Sequence, residues 1–237
     1  MTDPSDREAI FHDVMARTRV VRPPRQALAT FGTTNVHYYL VTEAAYSQLS
    51  GGPPDTVIRE GRVIAERPRV VTPYYLLRLE GFGDNARRYL ETVAEREGAH
   101  SPGLLYSYRN EGLQMNIVSE QQETVIANIE REIDRAEDPL SAVISGVDEM
   151  WDLSLMLFIY GMTAASTMSN VADLGRRRLL DVDAAGVPAE ARATIESLFV
   201  QVRTGEADPS ALQTELRHWG LWDEYEDRFL ALFSKGR

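Results

Sequence analysis

The sequence predicts an α+β fold: an N-terminal helix, a mainly antiparallel sheet built from hairpins with two packed helices, then an all-helical C-terminal part with a central buried helix. Three observations predict it. Segments rich in β-branched and aromatic residues, such as NVHYYLVT from Asn35, alternate with turn signals as far as Val118. After Asp138-Pro139 only helix signals remain, apart from one short and ambiguous apolar piece, LSAVISG. Between Met150 and Tyr160, apolar side chains cover every face of a helix, which suits a position inside the core.

The elements follow in order. Ser5-Asp6-Arg7-Glu8 has the form of a capping box, and Ile10, Phe11, Val14 and Met15 follow at helical spacing, so a helix is expected over 6–17. Pro23 and Pro24 forbid its continuation. A strand is expected over 36–42. TVIREGRVIAERP, with a strand signal over 57–66, is nearly a mirror about Glu60-Gly61 and reads as a hairpin with Gly61 at positive φ. VVTPYYLLRL continues as strand over 70–79, with Pro73 marking an edge or bend.

Ala86, Tyr89, Leu90 and Val93 mark one face of a helix over 84–97 that stops at Gly98. The segment 104–118 reads as a second hairpin turning at Asn110-Glu111-Gly112. Ser119 and Gln122 form another capping box, leading into a helix over 120–136 whose inner face is Val125, Ile126, Ile129 and Ile133. Helices started by Pro188 and Pro209 close at Gly205 and Gly220, and a last helix covers 221–233. DVDAAGVPAE, before the first of them, reads as a linker or exposed loop. The division expected is an α+β domain over 1–146 and a helical part over 147–237, packed together as one unit.

Composition removes several chemistries. There is no cysteine, so thiol nucleophiles, disulfides and cysteine-ligated metals are excluded. Lys235 is the only lysine, so no interior lysine serves as a Schiff-base or phosphate-binding group, and Walker-type hydrolysis and pyridoxal chemistry drop out. The net charge of −11 works against general attraction to nucleic acid or to an anionic membrane. The N-terminus has neither a basic segment nor an apolar one, and the apolar run Leu153–Ala165 falls short of a bilayer span, so the expectation is a cytoplasmic protein without a membrane partner.

Three groups of residues invite a functional reading. Between Val14 and Thr42 there is no acid, while Arg17, Arg19, Arg22 and Arg25 all fall inside. Guanidinium forks match phosphate and carboxylate geometry, so this segment suggests an anion or acidic-partner site; the plainer reading pairs it with the protein's own acids. Asp148, Glu149 and Asp152 lie within two helical turns, where they could share a divalent metal or simply complement a helix N-terminus. His37 and Tyr39 sit on a tyrosine-rich strand and could contact a ligand.

GFGDNA, Gly81 to Ala86, fits a dinucleotide-binding form, but a hairpin follows where a parallel crossover is needed, and Asp84 opposes a pyrophosphate. No nucleophile elbow or triad can be assembled from spacing. The last helix has Trp222, Tyr225, Phe229, Leu232 and Phe233 on one side and acids largely on the other, a pattern able to dock in another chain. The functional expectation is therefore a non-catalytic interaction, regulatory or ligand-binding module, self-associating as a homodimer through its helical part or binding another protein, with no cofactor. The alternatives are a metal-dependent hydrolase using Asp148, Glu149 and Asp152, and an anion- or nucleic-acid-associated factor using the arginine segment.

Overall fold

A computed structural model describes residues 4–47, 54–79 and 84–233, with the side chains of 4–10, Asn85 and Ala86 excepted. The capping-box side chains of Ser5 and Glu8, the glycines of the GFG stretch and Lys235 lie outside the described residues. The fold is α+β, with an N-terminal helix, a mainly antiparallel sheet and a helical C-terminal part. The chain divides into two compact units, each assembled from two separate stretches: Met1–Arg67 with Tyr106–Asn170, and Pro68–Leu105 with Val171–Arg237.

The first unit holds α1 (Pro4–Arg17) and a five-stranded sheet of β1 (Arg19–Arg22), β2 (Thr34–Glu43), β3 (Thr56–Ala65), β6 (Tyr108–Val118) and β7 (Ser141–Val147), in the order β1-β7-β2-β3-β6. Every pairing is antiparallel except β2 with β7, which are parallel. On one face Val36, Tyr38, Leu40, Val63, Ala142 and Ile144 meet Leu155, Phe158 and Met162 of α5 (Trp151–Arg176). On the other, Val41 and Val143 meet Val125, Ile129 and Ile133 of α4 (Gln122–Ala136), the inner face read from the sequence.

Several local expectations are corrected. Residues 56–65 form one unbroken strand, and Gly61 does not have positive φ. The glycine is there because Tyr38, its partner on β2, lies across it: a Cβ would sit 2.4 Å from the Tyr38 hydroxyl oxygen. The turn foreseen at Asn110–Gly112 is likewise inside a strand, where Leu113 is the extra residue of a bulge opposite Glu60 and Gly61. The weak LSAVISG signal becomes β7, an interior strand between β1 and β2, which went unread because a strand covered on both faces shows no alternation. Ser119 does not cap α4; its hydroxyl donates to Asp55, and Gln122 donates from the head of the helix to the Val41 carbonyl and Ser145.

The largest correction concerns the central helix. Its inner side is a stripe at four-residue spacing, Ser154, Phe158, Met162, Ser166 and Asn170, all buried. The polar members are satisfied there: Ser154 by Thr18 and the Val147 amide, Ser166 by the Leu28 amide, Asn170 by Thr30 and Tyr106. The outer side carries Met156, Tyr160 and Met168, which are 67%, 75% and 78% exposed. The helix therefore packs through one face only, and its outer apolar side is not part of the core. Measured from Asp148 to Arg176 it also contains an 18-residue window of mean hydropathy 1.2, long and apolar enough by length and composition to cross a membrane, although the apolar run in the sequence looked shorter.

The second unit pairs β4 (Arg69–Val71) with β5 (Gly103–Leu105) and holds α2 (Pro73–Leu76), α3 (Asp84–Glu97), α6 (Ala189–Thr204), α7 (Pro209–Trp219) and α8 (Trp222–Ala231). Pro73 does not bend a strand over 70–79; it opens α2, with the Thr72 hydroxyl capping the Tyr75 amide. On α3, Tyr89 is 69% exposed, not part of an inner face. DVDAAGVPAE is not an open linker, since Val187 and Glu190 are buried and Asp183 accepts from the Ala185 and Val187 amides. The later caps fall as the sequence indicates: Asp208 and Pro209 start α7, while Gly205 and Gly220 close α6 and α7 in the left-handed conformation.

Candidate functional site

The carboxyl ends of the two parallel strands lie side by side, which in sheets of this kind is where a cleft can open. A polar cleft of about 290 Å³ does open there, lined by Arg17 and Arg19, Glu43, Gln122, and the stretch from Ser145 to Glu149. The structure thus brings half of the arginine segment together with Asp148 and Glu149. Arg22 and Arg25 are not in this cleft. Both guanidinium groups reach Asp134 of α4, at 2.6 and 3.1 Å, so this part of the segment is paired with the protein's own acid. Arg17 pairs with Asp13, one helical turn earlier.

Asp148 is already committed. Its carboxylate accepts from the Thr42 hydroxyl at 3.0 Å and the Ala45 amide at 3.1 Å, and pairs with Arg59 at 2.7 Å. Arg59 in turn lies over the Trp151 ring. Glu149 and Asp152 are exposed, and Asp152 accepts from the Leu153 amide at the head of α5. Among the described residues no group of three or more histidines, aspartates and glutamates is placed to hold a metal ion. In this geometry Asp148 ties β2 and β3 to the start of the helix.

A pH consequence follows. Burial pushes the Asp148 carboxyl up, but the Ala45 amide, Arg59 and the Thr42 hydroxyl together hold it below its ordinary value of 3.8. A carboxyl depressed on folding contributes stability that is present above the unfolded value and is lost as pH falls through the folded one. Asp148→Asn is expected to cost about 1–3 kcal/mol at neutral pH and to flatten the loss of stability below about pH 4. Urea unfolding across a pH series checks this; an acid limb identical to that of the wild type would refute it.

His37 and Tyr39 form a separate cluster, on the sheet face that carries α4. The His37 Nε2 lies 2.8 Å from the Glu60 carboxylate, and its ring packs against Tyr39 at 4.7 Å between centroids. Burial, with the charges of Glu60, Glu132 and Asp138, pushes the Tyr39 hydroxyl up. A carboxylate-held imidazole is half of a general-base arrangement. Among the described residues no hydroxyl side chain is hydrogen-bonded to it.

What the sequence did not single out is the outer side of α5. From Leu153 to Ala172 the helix carries no charge, and Met156, Tyr160 and Met168 stand out from it with Gly161, Ala164 and Ala165 exposed between them. Beside this stripe runs an apolar cleft of about 280 Å³ lined by Pro23, Pro24, Phe158, Gly161, Met162 and Ala165. The signal that could have found it is the four-residue spacing of Ser154, Ser166 and Asn170, which marks the inner side by its polar members. No protein-family model, curated protein or solved structure matches the chain.

Proposed function

We propose that the protein is a binding module, not a catalyst, and that it self-associates through the outer face of α5. The observation that carries this reading is the uncharged stripe of Met156, Tyr160 and Met168, each at least two-thirds exposed, in a chain of net charge −11. Contiguous exposed apolar surface bounded by polar residues marks interaction sites. Burying one such side chain contributes about 1.5–3 kcal/mol, and a two-fold pair brings the same stripe against itself. The small residues Gly161, Ala164 and Ala165 between the large ones allow a second helix to approach closely.

The C-terminal helix, the other sequence-level argument for a dimer, has less to offer. Phe229 is buried, and Trp222, Tyr225 and Leu232 pack on the core of their own unit.

Sedimentation velocity over a wide concentration range tests the proposal. A dimer is expected for the wild type, and Tyr160→Glu combined with Met156→Glu is expected to weaken it by about a hundredfold without changing the far-UV circular dichroism. A wild type that stays monomeric at the highest concentration reached would sink the reading. Retention of that monomer on uncharged lipid vesicles would assign the face to a membrane surface instead.

A further inference from the structure

We infer that the second unit carries a site for a small organic phosphate, in a cleft where Arg78, Arg87 and Arg217 converge. The cleft has a volume of about 630 Å³, within the range of small-molecule pockets, and its lining adds Thr214, His218 and the apolar side chains of Leu77 and Leu79. Among the described residues no carboxylate lines it.

Charge is the first argument. Elsewhere in the same unit several arginines are neutralised: Arg69 by Glu215, Arg192 by Asp183 and Glu224, Arg228 by Glu196. Among the described residues none of Arg78, Arg87 and Arg217 pairs with a carboxylate. In a chain with 36 acids against 25 basic residues, three arginines lining one cleft, with no carboxylate among its described lining residues, are a local reversal of sign. An anion is the ligand such a reversal attracts.

Preorganisation is the second. The Arg78 guanidinium lies 4.3 Å over the Tyr74 ring and donates to the Arg217 carbonyl at 3.2 Å. Gly220 makes room for it: at φ +68 the glycine closes α7, and a Cβ there would meet the Arg78 Nη1 at 2.6 Å. The Arg217 guanidinium is held over the Trp222 ring. Planar groups fixed in this way lose little freedom on gripping a phosphate.

The third is that the site draws on more than one element. The His218 ring, set edge-on against Tyr75, also lines the cleft. Arg217 could be explained as a cation in the last turn of α7. That explanation does not reach Arg87, which comes from α3. The leucine pair gives the cleft an apolar wall, so a phosphate ester with an apolar body fits it better than the bare ion.

Isothermal titration with inorganic phosphate, pyrophosphate and phenyl phosphate tests the inference. Phenyl phosphate is expected to bind more tightly than phosphate, and its affinity to fall as salt is raised. Arg87→Ala and Arg217→Ala are each expected to weaken it about tenfold or more with unchanged circular dichroism. Absence of binding by all three probes would overturn the site, as would binding that survives the double variant. Binding lost on Arg19→Ala but kept on Arg87→Ala would overturn it too, moving the anion to the cleft of the first unit. None of these results depends on whether the protein dimerises.

Discussion

Phe158→Ala is expected to destabilise the sheet-bearing unit by about 3–5 kcal/mol. Phe158 is 2% exposed and belongs to the cluster that joins α5 to Tyr38, Leu40, Val63 and Ile144. Removing the ring gives up its own transfer free energy and leaves a void, because the strands beneath are fixed by their ladder and cannot close around the gap. The same ring lines the apolar cleft beside the exposed stripe, so the void would open towards solvent. Urea unfolding followed by tryptophan fluorescence and by circular dichroism gives the loss directly. A change below about 1 kcal/mol would mean that α5 is not anchored to the sheet through this residue.

Glu215→Ala is the second large effect, expected at about 3–5 kcal/mol in the second unit. Glu215 is 7% exposed and holds three partners: the Arg69 guanidinium, the Tyr75 hydroxyl at 3.3 Å and the Trp219 indole N–H at 3.1 Å. Deleting the carboxylate leaves Arg69 without its counter-charge in a partly buried position and strips two buried donors of their acceptor. Glu215→Gln keeps the shape and an acceptor oxygen, and so should lose distinctly less. Because Trp219 is itself a partner, its fluorescence reports the site as well as the unfolding. Equal losses for the two variants would show that the charge, not the hydrogen bonding, dominates.

The fold class, the N-terminal helix and the caps of the C-terminal helices were legible in the sequence, and for a local reason. Pro209 after Asp208, and glycines at positions 205 and 220, act on the backbone within one turn, so nothing distant alters what they do. The inner face of α4 was equally plain, since that helix has a single covered side.

What only the tertiary structure decided is everything that depends on a partner remote in sequence. Gly61 reads as a turn until Tyr38 is seen lying across it. Asp148 reads as a free carboxylate until Thr42, Ala45 and Arg59 are found around it. Arg78, Arg87 and Arg217 are spread over 140 positions of chain, and no spacing rule could have joined them.

The central helix shows the limit most clearly. Its residues are apolar on all sides, so periodicity could not say which side faces the sheet, and the answer placed two serines and an asparagine inside and two methionines and a tyrosine outside. A buried hydroxyl or amide is stable wherever the backbone supplies a partner, as the amides of Leu28 and Val147 do here. The sequence by itself determined the fold class and the ends of the C-terminal helices; which side chains came to face one another, and with them the two surfaces proposed to bind, was decided by tertiary packing.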